Sequence, residues 1–386
     1  MPADSPSPPR VIIVLPHREA FGPACAGAVA MVVRRLAARS RYRALVIGPP
    51  FEGPAYPGID FLPARMPGWW PRTMTRRYAI ALARLLAPLP PGLIEVHNKP
   101  DLALWLARRF PHRPVGLFLH NDPRSMRGAR SPGARRRLLK RLSQVVTVSD
   151  FLRRCLLEGV ATSSDPMPSD RMPVVIHNAL DMAELPAGLP PQRREQLILF
   201  AGRIVPDKGP DLFVAACARA LPQLPGWRAE MIGADGFSPD APDTGFIRGL
   251  RPEADAAGVV LRGFQPHDAV LRAMARAAIV VVPSRWEEPF GLTALEAMAC
   301  GAALVYSGRG GLAEVAGDAA VTIDPDDPAS FAQALLDLAG DPGRRAVLSA
   351  GGQSRAREHF SAAAAAARLD DRRDRTLAAF ARSGGA

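Results

Sequence analysis

The sequence predicts an α/β fold built from two doubly wound parallel sheets, and three observations carry that expectation. Short, nearly continuous apolar runs recur with helical patterns between them, and the cycle restarts after a proline-rich stretch near 186–191. At roughly 100–200 residues per domain, the 386 residues are enough for two cores. The composition agrees: 48% hydrophobic and 22% charged residues make a globular chain, and 33 Gly and 40 Pro punctuate many short elements.

The first strand is expected at 11–15, VIIVL, followed by the loop HREAFGPACAG and an apolar helical pattern through Ala38. ALVIG at 44–48, GLIEV at 92–96, VGLFL at 115–119 and VVTVS at 145–149 repeat the cycle. A polar, proline-containing loop, ATSSDPMPSDRMP at 161–173, precedes one more strand, VVI at 174–176. Beyond a linker near 180–195 come LILFAG at 197–202, AEMIGA at 229–234, VVLRG at 259–263, AIVVVP at 278–283 and ALVYS at 303–307. The domains are therefore drawn at 1–185 and 186–365, with a cleft between two similar halves as the expected ligand position. A last segment, 366–386, continues the alanine run 362–367 as helix, and taken by itself it is expected to cap the second domain.

Charge is distributed unevenly. Residues 1–190 hold 27 Lys and Arg against 13 Asp and Glu, whereas residues 191–386 hold 22 against 24. A basic first half attracts nucleic acid, anionic lipid or phosphorylated substrates without choosing among them, and an arginine-rich composition produces the same excess with no partner at all. No familiar nucleic-acid recognition module accompanies the charge, so no nucleic-acid partner is expected. Cys25, Cys155, Cys217 and Cys300 are too scattered for a disulfide framework or a metal site, which points to a reducing compartment. The opening MPADSPSPPRVIIVLP reads as a first strand rather than a signal peptide, and no run approaches the ~20 apolar residues of a membrane span. The expected location is cytoplasmic, with any membrane contact peripheral.

Two segments of the second half carry chemistry. GRIVPDKGPDLFVAA at 202–216 leaves a strand and opens a helix; Arg203 and Lys208 then place two cations near a helix N-terminus, an anion site suited to a diphosphate. EEPFGLTALEAMACG at 287–301 also follows a strand, and it spaces Glu288 and Glu296 so that both reach hydroxyl groups of one ligand, with amides around Gly291 available to phosphate. Each segment read alone is also an ordinary solvated turn or helix start. Both at the C-terminal edge of one parallel sheet make a ligand site. The loop at 20–27 lacks the G-x-G-x-x-G pattern of dinucleotide enzymes.

With these motifs the chain resembles glycosyltransferase family 4, retaining nucleotide-sugar enzymes of GT-B fold, in which two Rossmann-like domains face each other across a cleft. The resemblance rests on GRIVPDKG at 202–209, the E-x7-E arrangement of EPFGLTALE at 288–296 and GRGGLAEV at 308–315. It makes 1–185 the acceptor side and 186–365 the nucleotide-sugar side, and it returns 366–386 toward the first domain. It implies that Arg203 and Lys208 hold the donor diphosphate, that Glu288 contacts the donor sugar and Glu296 the ribose, and that Phe290, Gly291 and Leu292 line that region. His120, in LFLHND at 117–122, is implied as the histidine facing the sugar, with His97 or His17 as alternative partners. Gly22 belongs to AFGPACAG at 20–27, which resembles the family's glycine-rich donor loop without its compact Gly-Gly pair. Asp122 and Ser149 are candidates on the acceptor side, and Asn178 matches the family's N-G-x-D segment with Ala179 in place of glycine.

The implied reaction is hexosyl transfer from a nucleoside diphosphate sugar, UDP favoured over GDP, to a glycan or glycolipid hydroxyl in lipopolysaccharide or other cell-envelope polysaccharide synthesis. No cofactor or metal is expected, because the two cations neutralise the diphosphate. The basic-apolar stretches 72–89 and 129–142 would guide the enzyme to an anionic inner membrane face if both residue sets point outward. A non-catalytic nucleotide-sugar-binding regulator, a basic nucleic-acid-binding protein, and an epimerase or phosphorolytic enzyme are the competing readings.

Overall fold

A computed structural model describes residues 10–23, 25, 27–68, 73–160, 168–187, 189–236 and 243–384. The opening residues 1–9 and positions 161–167 of the polar loop lie outside the described residues. The chain divides into two compact units, Met1–Ala179 with Ala362–Ala386, and Leu180–Ser361.

Unit 1 runs β1 (Arg10–Val14), α1 (Ala28–Arg39), β2 (Arg43–Gly48), β3 (Asp60–Pro63), α2 (Met74–Leu86), β4 (Leu93–His97), α3 (Pro100–Arg109), β5 (Val115–Leu119), α4 (Pro132–Arg141), β6 (Gln144–Thr147), α5 (Asp150–Leu157) and β7 (Val174–Val175). The strands form one sheet in the order β3-β2-β1-β4-β5-β6-β7, every pair parallel. Alternation along each strand divides the core. Ile12, Val14, Ile94, Val96 and Leu117 meet Leu82, Leu102, Leu138 and Leu156 of α2 to α5, while Val11, Ile13 and Leu93 meet Val29, Ala30 and Val33 of α1. Ser131 and Ser149 cap α4 and α5 by accepting hydrogen bonds from the amides of Ala134 and Leu152.

Unit 2 runs β8 (Glu195–Ala201), α6 (Pro210–Ala220), β9 (Arg228–Ile232), α7 (Gly245–Ala256), β10 (Val259–Leu261), α8 (His267–Arg276), β11 (Ala277–Val282), α9 (Leu292–Ala299), β12 (Ala303–Tyr306), α10 (Leu312–Ala316), β13 (Val321–Thr322), α11 (Pro328–Gly340) and α12 (Pro342–His359). Its six strands are again all parallel, in the order β10-β9-β8-β11-β12-β13. Sheet order reverses between β1 and β4 in unit 1 and between β8 and β11 in unit 2. Such a reversal opens a crevice at the C-terminal strand ends.

The last helix, α13 (Ala362–Arg382), belongs to unit 1 and packs on α1. The segment read by itself as a cap on the second domain is thus held elsewhere, by a polar contact its composition does not announce. Arg373, 1% exposed, donates through Nε and Nη2 to both oxygens of Glu95 on β4 at 2.9 and 2.6 Å, and through Nη1 to Asp370 at 2.9 Å. Gln144 donates to Glu95, and Thr376 donates in turn to Gln144. Burial alone would lower the Arg373 pKa, but the two carboxylates beside it raise it on balance.

Candidate functional site

The two motifs of unit 2 leave the adjacent strands β8 and β11, on either side of the reversal point. The first exits through Gly202 and Arg203, the latter exposed, into a single 3₁₀ turn at Pro206–Lys208. Gly209 then caps α6 at φ 67°, and a Cβ there would stand 2.3 Å from the carbonyl oxygen of Pro283 on the neighbouring exit. Only glycine allows both the left-handed turn and that approach.

Side chains stitch the two exits together. Lys208 Nζ donates to Glu288 Oε1 at 2.5 Å and lies 5.3 Å from the ring centroid of Trp286. Ser284 Oγ donates to the same carboxylate oxygen at 2.6 Å. Arg285 forms a bidentate pair with Asp211 at 2.6 Å for each bond, and its backbone amide donates to the carbonyl of Asp207. The guanidinium pKa is raised chiefly by its hydrogen bonds to Asp211. Glu288 also meets the third motif: its carbonyl accepts from Gly311 at 2.7 Å, and it bridges Gly310.

Gly291 caps α9 at φ 106°, Leu292 begins the helix, and Glu296 sits in its second turn, buried, with Oε1 2.9 Å from Nε2 of His267 at the start of α8. Phe290 departs from expectation. Its ring is enclosed and packs edge-on against Phe360, centroids 5.7 Å apart.

In unit 1, His120 follows β5 and is buried, with Nε2 2.8 Å from Nδ1 of His97 at the end of β4. Burial holds the His97 pKa down to about 3, and burial together with His97 holds His120 well below the usual imidazole range. His17 keeps no hydrogen-bonded contact with this pair among the described residues; its ring lies 6.1 Å from that of Tyr78. Gly22 is packed where a Cβ would fall 2.6 Å from the carbonyl oxygen of Pro54. Nearby, Glu19 accepts from the amide of Ala30 at 2.9 Å and so occupies the N-terminus of α1.

The two acceptor-side candidates are structural caps in this fold. Ser149 is wholly buried at the start of α5, and Asp122 caps the turn Pro123–Ser125 while pairing with Arg124. The condition set for a membrane surface, both residue sets outward, is not met on α2 and α4. Leu82 and Leu86 of α2, and Leu138 and Leu139 of α4, face the core, and buried Arg135 spends its donors on carbonyls of Leu156, Ala129, Arg130 and Glu158. No helix among the described residues is long and apolar enough to cross a membrane.

Residues 27–183 match the family described as Glycosyltransferase Family 4, and residues 181–355 match Glycosyl transferases group 1. The D-inositol 3-phosphate glycosyltransferase of Geodermatophilus obscurus is 32% identical over 81% of this chain and 70% of its own length. The chain belongs to the family 4 glycosyltransferases. Other relatives share a shorter stretch. The glycosyltransferase YtcC of Bacillus subtilis is 28% identical over 67% of this chain and 66% of its own length. The D-inositol 3-phosphate glycosyltransferase of Thermomonospora curvata is 35% identical over 47% of this chain, and the match spans 43% of that relative.

This family 4 chain shares its fold, two Rossmann-like domains of GT-B type, with sucrose-phosphate synthase from Thermosynechococcus elongatus (TM-score 0.75, 20% identity, 96% of this chain and 100% of that one). Anabaena HepE, solved in complex with UDP and glucose, has it too (TM-score 0.71, 18% identity, 93% and 98%). Within the family motifs, Ser284, Arg285, Asp211 and His267 are the partners that sequence reading passed over. Only tertiary adjacency pairs 211 with 285, or 267 with 296.

Proposed function

We propose that the chain is a retaining glycosyltransferase that moves a hexosyl group from a nucleoside diphosphate sugar, preferentially a UDP sugar, to a hydroxyl of a glycan or glycolipid in cell-envelope polysaccharide synthesis. The observation that carries this reading is the joining of the two motifs at the sheet reversal of unit 2, where Lys208, Ser284 and Glu288 form one hydrogen-bonded group and Arg203 stands on the same strand exit.

The chemistry follows from charge. The bond between the anomeric carbon and the diphosphate oxygen breaks, leaving negative charge on the diphosphate and an oxocarbenium-like centre. Arg203, Lys208 and the amides near Gly291 stabilise the departing side, Glu288 orients the sugar, Glu296 holds the ribose and His120 contacts the sugar. The acceptor oxygen bonds to the same face of the anomeric carbon, and its proton passes to the departing phosphate oxygen. In this front-face scheme Glu288 has no covalent role; its Oε1 is held by Lys208 and Ser284. Neutralisation of the diphosphate by two side chains makes the reaction metal-independent.

A product-resolved assay tests this. Purified protein is given UDP-glucose, UDP-galactose, UDP-N-acetylglucosamine or GDP-mannose, with and without a membrane-glycan extract, and with or without EDTA. The expected outcome is acceptor-dependent release of one nucleoside diphosphate with an elongated glycan of retained configuration, unchanged by EDTA. Saturable donor binding with no product, on acceptors that a control transferase uses, would return the chain to the class of binding proteins.

A further inference from the structure

Two imidazoles meet at the C-terminal edge of the first sheet, and the surroundings of one dictate the protonation of the other. His97 ends β4 and is in register with Phe118 of the parallel strand β5; His120 follows two residues later. The ring planes of His97 and His120 are 23° apart, and Nδ1 of His97 is 2.8 Å from Nε2 of His120. Phe118 stacks on both rings, with centroids 5.0 and 4.9 Å away. The next residue, Asn98, is held at φ 53°, and its Oδ1 accepts from the backbone amide of His120 at 2.8 Å. His97 and Asn98 thus grip both the ring and the main chain of His120.

One proton lies between two neutral imidazoles, so one ring donates and the other accepts. The far side of His97 decides which. Its Nε2 is buried and has no hydrogen-bond partner among the described residues. Were His97 to accept at Nδ1, its proton would sit on Nε2, as a buried N–H with no acceptor. Were it to donate from Nδ1, Nε2 would be a bare lone pair. An orphaned buried N–H is a rarer state in folded proteins than an under-satisfied acceptor. A doubly protonated His97 is disfavoured by burial and by the nearby charge of Arg373.

We infer that His97 donates from Nδ1 to Nε2 of His120 and so fixes His120 as the neutral tautomer whose proton is on Nδ1, making His97 a positioning residue for transfer. Nδ1 of His120 is not among the enclosed, unpartnered atoms and has no hydrogen-bond partner among the described residues. It presents an N–H. His120 then acts toward a sugar oxygen or an oxyanion as a hydrogen-bond donor, and no lone pair on its ring is left to take the acceptor's proton. This rests on the proposed transfer reaction and narrows it, since proton removal falls to the departing phosphate.

The test is ¹⁵N NMR of histidine-labelled full-length protein near neutral pH, with His120 assigned by loss of its signals in His120→Gln. The expected spectrum shows a pyrrole-type Nδ1 and a pyridine-type Nε2 for His120. In His97→Asn, whose amide nitrogen falls near the position of Nδ1, that pattern persists, and kcat stays within about threefold of the wild type. In His97→Phe, which keeps ring volume and stacking but has no donor, His120 exchanges between tautomers and kcat falls at least tenfold, while the donor KM moves less than about threefold. A wild-type spectrum with the proton on Nε2 of His120 overturns the assignment. Equal kcat for the Asn and Phe variants overturns the positioning role. Should no donor be turned over at all, the spectrum still reads the tautomer, and the transferase reading is what falls.

Discussion

Arg285 and Asp211 are not among the residues implied to contact the donor, yet Arg285 bonds to the carbonyls of Pro206 and Asp207 and so sets where the adjoining Lys208 stands. Each side chain of the pair is about a third exposed, 35% and 32%, so the ion pair itself adds little to stability. Its effect is geometric. Arg285→Ala is expected to raise the donor KM roughly fivefold to tenfold with Tm within about 2 °C, and the exchange Arg285→Asp with Asp211→Arg to recover most of the loss; steady-state kinetics and a melting curve measure both. Titration at His97 makes a second expectation. His97 and His120 are neutral in the fold with pKa values below the unfolded value near 6.5, so as pH falls through that value the unfolded chain gains protons that the native state refuses. Stability should decline by up to about 1.4 kcal/mol per pH unit for each histidine between roughly pH 6.5 and 5, with no contribution above pH 7.5. Urea midpoints at pH 7.5 and 5.5 read the slope, which His97→Phe should make shallower. At this scale the sequence showed which residues bear charge in the strand exits, because Arg203, Lys208, Glu288 and Glu296 keep fixed spacings from apolar runs. It did not show that the ring of Phe290 turns inward, or that Ser149 caps a helix, since both outcomes depend on what packs from elsewhere.

Among the elements, the long central strands were legible because burial on both faces leaves an uninterrupted apolar run, as in VGLFL at 115–119, the very bounds of β5. The edges were not. β3 is DFLP, half-buried and closed by proline, and β13 is two residues long; neither carries a run that stands out from a loop. Helix α13 was legible as a helix but not by its position, which is fixed by Arg373 against Glu95, separated by 278 residues. Both side chains are enclosed, so removing one strands a buried charge. Arg373→Ala is expected to cost about 3–5 kcal/mol, whereas Arg373→Met combined with Glu95→Met should cost clearly less, the Asp370 carboxylate keeping its bonds from Ser40 and the amide of Arg41. Denaturant unfolding of the three proteins separates the two cases. A near-equal loss in single and double variants would mean that helix packing, rather than the charge pair, holds α13.

For the molecule as a whole, the excess of 27 cations over 13 anions in residues 1–190 has to be reconciled with helices whose leucines face inward. α4 shows the pattern: Leu138 and Leu139 are buried, Arg135 is consumed by carbonyls, and Arg137, Lys140 and Arg141 remain exposed. An amphipathic helix that enters a bilayer contributes buried apolar area as well as charge. On α4 only the charge is on offer, at about 1 kcal/mol for each cation near an anionic surface, decaying within a Debye length. Vesicles containing anionic lipid should therefore sediment the protein at low salt and release it by about 0.3–0.5 M NaCl, where the Debye length falls to about 4–6 Å. Neutral phosphatidylcholine vesicles should not retain it at any salt concentration. Arg137→Glu with Lys140→Glu and Arg141→Glu should weaken the low-salt binding at least tenfold while the unfolding midpoint stays put, because these side chains project from a helix face the core does not use. Retention that survives high salt would show that apolar groups enter the lipid, and the electrostatic account of the basic half would then be wrong.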